Sequence, residues 1–170
     1  GNTDDALEYY NKAIEIDPKY AAAHYNKGVL YDKLLQHEEA IRNLDEAIKC
    51  DSGNVNTAFY RGVVLGKMKK HEEALNCFEN IYRKHPKHMD AFFHKGMELA
   101  ELGKHERALE IFDKLFQIHE GNVNVIYAMA RSNAAINNVG RALYLLEQAV
   151  KKDRKTIKKW ALEDEFFDSL

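Results

Sequence analysis

The sequence predicts an all-α protein: a solenoid of about ten helices stacked as antiparallel pairs. Three observations predict it. Small residues recur every 34 positions, with Ala6, Ala40, Ala74, Ala108 and Ala142 in one column and Gly28, Gly62 and Gly96 in another. Around them, apolar residues follow three- and four-residue steps, the spacing that gathers side chains on one face of a helix. Helix-stopping chemistry returns in the same phase, at Asp17-Pro18, Asp51-Ser52-Gly53-Asn54, His85-Pro86 and Glu120-Gly121-Asn122. The 170 residues hold five such periods, so each helix pair is expected to bury its apolar face on its neighbours rather than in one central core.

The opening element, residues 1–18, matches only the second half of a period. Ala6, Tyr10, Ala13 and Pro18 fit a second helix over 3–16 and its closing turn. Thr3 can cap that helix, and Asp4 and Asp5 lie in its first turn, where the positive helix end favours carboxylates. Four full units follow over 19–153, bounded as 19–52, 53–86, 87–120 and 121–153. In the first, Tyr25, Val29, Leu30 and Leu34 mark a helix near 20–34, and Ala40, Ile41, Leu44, Ala47 and Ile48 mark its partner near 37–50. In the second, Ala58, Gly62 and Leu65 mark a helix near 54–69, and Ala74, Phe78 and Ile81 one near 72–84. The third reads Phe92-x2-Lys95-Gly96-x2-Leu99, then Ala108-x3-Phe112-x2-Leu115.

A mid-helix glycine costs about 1 kcal/mol relative to alanine. Gly28, Gly62 and Gly96 are therefore expected to serve close helix crossings, with Ala40, Ala74 and Ala108 as the facing residues. Ala130 takes the glycine position in the fourth unit, whose helices are expected to pack slightly wider. Residues 154–170 are expected to form a closing helix, with Trp160 in the column of His24, Ala58, Phe92 and Ile126, and Phe167 in that of Tyr31, Leu65 and Leu99. Asp164 falls in the glycine column. A carboxylate at a close crossing would be buried without a partner, which marks the end of the array.

This period and these columns resemble the tetratricopeptide repeat (TPR) family over nearly the whole chain. The resemblance implies right-handed stacking, a capping helix at the C-terminal end, and a role as a non-catalytic protein-protein interaction scaffold. In such arrays the first helix of each pair lines a concave groove that takes a partner peptide or helix. Tyr25, Phe59, Phe93 and Tyr127, all aromatic and 34 residues apart, stand in the column expected to face it. Val29, Val63, Met97 and Arg131 lie one turn further, then Asp32, Gly66, Ala100 and Ala134. Large rings beside small residues make shallow apolar pockets suited to peptide side chains. Asn26, Asn56 and Asn124 are placed to hydrogen-bond peptide backbone. The same rings also support neighbouring helices. Some relatives grip a chaperone's terminal carboxylate with lysine, asparagine and arginine from successive first helices. The positions concerned hold Tyr25, Val29, Tyr60, Asp90 and His94 here and supply no lysine, so such a tail is not the expected ligand. Two alternatives stay open: a self-associating scaffold using helix edges and convex faces, and a regulatory or targeting array attached to an enzyme domain outside these residues.

Composition narrows the partners. A formal net charge of -2 gives no general attraction to nucleic acid or anionic membranes. No apolar run approaches the roughly 20 residues needed to span a bilayer, and a cytoplasmic location with reduced, partly buried Cys50 and Cys77 is expected. No phosphate-cradling glycine loop or supported nucleophile is present, so no catalytic residue, cofactor or enzyme activity is expected. His37, His71 and His105 occupy one repeat position and should be spread along the array. His85, His88 and His94 form the only local cluster, without a convincing further ligand, and no metal is expected. The basic run Lys151-Lys152-Asp153-Arg154-Lys155 with Lys158 and Lys159 reads as a helix end and a solvated turn, followed by acidic Glu163, Asp164, Glu165 and Asp168. The chain begins Gly1-Asn2-Thr3, as a piece of a longer protein would. Its half unit leaves some of Leu7, Tyr9, Tyr10 and Ile14 without a cover, so a further upstream helix is expected, and self-association through the open N-terminal edge until that edge is covered.

Overall fold

The structure is a computed structural model that describes residues 3–167; Asp168, counted above in the acidic run, lies outside the described residues. Among these, ten α-helices and one short 3-10 helix are present, and no strand. The helices are α1 (Thr3–Ile16), α2 (Ala21–Lys33), α3 (His37–Cys50), α4 (Val55–Lys67), α5 (His71–Lys84), α6 (Met89–Glu101), α7 (His105–Ile118), α8 (Val123–Ala135), α9 (Val139–Lys152) and α10 (Arg154–Glu163); the 3-10 helix is Glu165–Phe167. The all-α expectation holds. The chain divides into two compact units, Gly1–Pro86 and Lys87–Leu170. Within each, helices adjacent in sequence pack on one another: α1 to α5 in the first, α6 to α10 in the second.

The local chemistry explains where each helix stops. Four left-handed residues, Leu35, Lys69, Gly103 and Asn137, stand at equivalent points of the four turns inside the helix pairs, with φ between 58° and 72°. At each turn the next amide reaches back over the helix end: Gln36 N–H donates to the Tyr31 carbonyl, Lys70 to Leu65, Lys104 to Leu99 and Asn138 to Asn133, at 2.8–2.9 Å. This closure satisfies carbonyls that the helix end would otherwise orphan. Only Gly103 adopts the conformation without the steric cost that a Cβ imposes there. Between pairs, side chains cap the new helix. Asn54 accepts from Thr57 N–H, His88 Nδ1 from Ala91 N–H, Asn122 from Asn124 and Val125 N–H, and Asp153 from Thr156 N–H.

The glycine crossings are close, and the nearest side chain at each is larger than the expected alanine. A Cβ on Gly62 would stand 2.8 Å from the Phe78 ring and 3.2 Å from Cys77 Cβ. One on Gly96 would stand 2.6 Å from Phe112. At Gly28 the nearest atoms are Leu44 Cγ at 2.9 Å and the Ala40 carbonyl at 3.1 Å. Each notch therefore accepts a large side chain one turn beyond the alanine, because a second helix crosses at an angle and its long side chains reach past the point of closest backbone approach. Ala40, Ala74 and Ala108 are themselves wholly buried, as is Ala130.

The closing segment also departs from the repeat. α10 ends at Glu163, so Asp164 sits in an extended C-cap rather than at a helix crossing, and Phe167 leaves the column of Leu65 and Leu99. Asp164 is not unpaired. Its carboxylate accepts from Tyr127 Oη at 3.0 Å and meets Arg131 Nε at 3.1 Å.

Candidate interaction surface

In the second unit the first helices α6 and α8 hold more buried residues than the second helices α7 and α9, and α8 packs against α7, α9 and the 3-10 helix at once. Seven residues of α8 are buried, among them Ile126, Met129 and Ala130, and only a narrow stripe is left outward. Tyr127 and Arg131 stand on that stripe, half-buried. Arg131 holds a central charge: it pairs with Glu101 of α6, meets Asp164, and lies 4.7 Å over the Phe166 ring. Tyr127 packs edge-on against Trp160 at 5.3 Å and Phe167 at 5.7 Å. Burial, then the neighbouring Asp164 carboxylate, pushes the Tyr127 hydroxyl well above its ordinary range. Met97, Tyr127 and Arg131 share an open cleft of about 410 Å³ with Trp160 and Asp164.

A second hollow on this unit, about 310 Å³, brings Phe93 together with Asn124, Met89 and Val125. Phe93 is half-buried against Phe112 at 5.8 Å, while the Asn124 side chain is exposed. On the first unit, Tyr25, Val29, Phe59 and Val63 are half-buried on α2 and α4, and Asn26 and Asn56 are exposed. Tyr25 meets Tyr60 edge-on at 6.0 Å, and Phe59 meets Phe78 at 5.5 Å. The aromatic column thus has its inner edges in the packing, as the second expectation for it required. Two larger hollows lie elsewhere, lined in good part by second helices: about 510 Å³ beside Arg61, Cys77 and Asn80, and about 500 Å³ beside Arg141, Tyr144 and Gln148.

Asp32 corrects the sequence reading. It shares a repeat column with the small residues Gly66, Ala100 and Ala134, but its side chain is 3% exposed and binds three elements together. Tyr60 Oη donates to Oδ2 at 2.6 Å and Lys67 Nζ stands 2.7 Å from the same oxygen. His37 Nδ1 lies 3.1 Å from Oδ1, at ion-pair distance without hydrogen-bond geometry. Burial alone would raise the Asp32 carboxyl, yet the Lys67 and Tyr60 bonds outweigh it and hold the group below the usual carboxylate range. The signal was a carboxylate in a column otherwise Gly66, Ala100 and Ala134; its partners, 28 and 35 residues on, were not legible. Glu101 and Asp164 around Arg131 were missed for the same reason.

The histidines follow their helices. His37, His71 and His105 open α3, α5 and α7, and His88 caps α6. Among the described residues no group of three His, Cys, Asp or Glu side chains could hold a metal ion. Cys50 and Cys77 are free and half-buried; burial raises the Cys77 thiol against the pull of Arg61, whose guanidinium is 3.2 Å from Sγ. No helix among the described residues is long and apolar enough to cross a membrane.

Burial lowers the His94 and His105 imidazoles below 6.5, with Arg131 adding to the effect at His105 and Asp90 opposing it at His94. As pH falls through that value the unfolded chain protonates first, so their contribution to stability is present above it and lost below. The melting temperature is expected to fall between about pH 7 and 5.5, and His94→Gln/His105→Gln to flatten that slope. Thermal melts across the range check it; an unchanged slope would assign the effect elsewhere.

Four family models match the chain: a TPR repeat over residues 1–34 and tetratricopeptide repeats over 21–54, 61–122 and 99–163. The chain belongs to the tetratricopeptide repeat family. Solved structures agree with an α-solenoid. YrrB, described as a TPR protein with an unusual peptide-binding site, is 25% identical with a TM-score of 0.79, covering 95% of this chain and 84% of its own. MamA, at 19% identity, has a TM-score of 0.80 over 93% and 92% of the two chains. A TPR protein of Parabacteroides merdae reaches 0.82 at 19% identity, over 89% and 60%. The latter two show the fold alone. Curated relatives match short stretches. A probable UDP-N-acetylglucosamine–peptide N-acetylglucosaminyltransferase SPINDLY of Hordeum vulgare is 44% identical over 41 residues, 24% of this TPR chain and 4% of the plant protein. An uncharacterised protein of Methanocaldococcus jannaschii is 48% identical over 40 residues, 24% of this chain and 46% of its own. The TPR chain thus spans a small part of the plant relatives and under half of the archaeal one. A TPR array of this kind is a protein-interaction scaffold.

Proposed function

We propose that this TPR array is a non-catalytic scaffold that binds a partner peptide or helix on the aromatic faces of its first helices, in the concave groove. The carrying observation is that Tyr25, Phe59 and Phe93 are half-buried, each packed on one neighbouring ring and still partly exposed, on helices that also carry exposed Asn26 or Asn56 or lie beside exposed Asn124, while Tyr127, in the same column, is half-buried against the closing segment. Rings anchored in this way lose little side-chain entropy on binding, and the amides can satisfy peptide backbone. That YrrB has a peptide-binding site supports the same use. The test is selection from a random peptide library displayed on phage, against wild type and Phe59→Ala/Phe93→Ala, with folding checked by circular dichroism. Peptides that bind the folded variant as well as wild type would remove this reading.

A second reading, self-association, has its own support. α1 contains no buried residue, and Tyr9 is 70% and Ile16 86% exposed. Light scattering across a dilution series, with Tyr9→Glu and a version extended upstream as comparisons, is expected to show association in the unmodified chain alone. A monomer at every concentration, unaltered by either change, excludes it. An array attached to an enzyme domain is the third reading, favoured by the short match to the plant transferase.

A further inference from the structure

The second unit already holds a ligand-like segment of its own. Three residues just after α10 seat on side chains of α7 and α8. Asp164 takes the Tyr127 hydroxyl and the Arg131 Nε edge. Phe166 lies under the Arg131 guanidinium and edge-on to His105 at 5.8 Å. Phe167 packs on Tyr127. The segment folds on itself, with the Phe166 N–H donating to Asp164 Oδ1 at 3.2 Å, and Glu163 and Glu165 stay exposed. Carboxylate and rings thus occupy Tyr127 and Arg131, two residues of the proposed groove, while the neighbouring cleft beside Met97 stays open.

From this we infer that the α8 face recognises acidic-aromatic peptides of the form Asp-x-Phe-Phe, and that residues 164–167 are a tethered copy of that motif which an external partner must displace. The inference rests on the concave-groove reading and names its ligand class at the last repeat. The chemistry is specific in two ways. Arg131 already pairs with Glu101, so its Nε edge is oriented for one further carboxylate. Its flat face is left for a ring, which a lysine could not offer. Tethering sets an effective concentration near the millimolar range, so a free peptide with the same motif competes poorly until the tether is removed.

The experiment uses a fluorescein-labelled peptide, Leu-Glu-Asp-Glu-Phe-Phe, the sequence of residues 162–167. Fluorescence anisotropy compares the whole chain, a chain ended after Leu162, and whole-length Asp164→Ala/Phe166→Ala/Phe167→Ala, which frees the face even where the shortened chain fails to fold. Both altered proteins are expected to bind the peptide at least about tenfold more tightly than the whole chain. Arg131→Met in either background, or Asn in place of the peptide's Asp, is expected to cost about tenfold. Trp160, the one tryptophan, lies against Tyr127 and gives an independent emission signal. A folded altered protein that binds the peptide no better than a scrambled sequence, or binds it regardless of Arg131, overturns the inference. If the Phe59/Phe93 variant still loses library peptides in that case, the groove reading stands and only the tethered ligand falls.

Discussion

Alanine at both Phe59 and Phe93 is expected to weaken binding of a selected peptide by roughly 2–4 kcal/mol. Each ring lies mid-way along its first helix, and aromatic anchors ringed by small or polar neighbours carry most of the energy of such contacts. In the second unit Phe93 shares its hollow with Asn124, so one residue supplies apolar contact and the other a backbone partner. The same rings touch Phe78 and Phe112, so truncation also opens a gap in the packing. Because the rings are only half-buried, that loss should be about 1–2 kcal/mol each, below the cost of deleting a fully enclosed phenylalanine. Titration calorimetry well below the melting temperature separates the two effects. Undiminished binding by a folded double variant would move the site to the second-helix side, where the hollows beside Arg61 and Tyr144 are larger.

Leucine at Gly96 is expected to destabilise by about 1–3 kcal/mol, the usual cost of overpacking a filled core. Even the first added carbon would stand 2.6 Å from the Phe112 ring, which is 0% exposed. Relief requires α6 and α7 to part, which loosens Leu99 and Ile111 as well. Gly62→Leu should behave alike against Phe78. Leucine at Lys69 is the comparison: that residue is exposed, and Leu35 already holds the equivalent left-handed position in the preceding turn. Its effect should stay within about 0.5 kcal/mol. Urea denaturation measures all three, and a Gly96→Leu protein with wild-type stability would mean that the assigned crossing is wrong.

Helix number, helix limits and the buried columns were legible because each depends on interactions three or four residues apart, or on turns that close within six. α3 occupies 37–50 as its pattern of Ala40, Leu44 and Ala47 required, and the glycines do mark close crossings. A repeat adds a second source of information, since a position unclear in one unit is explained by its equivalents. What fills a glycine notch was less legible. The choice between Ala74 and Phe78 depends on the crossing angle of two helices, and spacing alone does not contain it.

The sequence by itself determined an all-α TPR array, its phase, and a column of aromatic rings on first helices. Only the tertiary structure decided what the charged residues of those columns do. Asp32 reads as one more groove position until Tyr60 and Lys67 arrive from another helix and bury it. Asp164 reads as a carboxylate in a glycine column until α10 stops one residue earlier and turns it onto Tyr127 and Arg131. Apolar periodicity is a local property, repeated at every turn. The sign and satisfaction of a buried charge are set by which distant partner the fold brings within about 3 Å, and a repeat cannot announce a contact that occurs once.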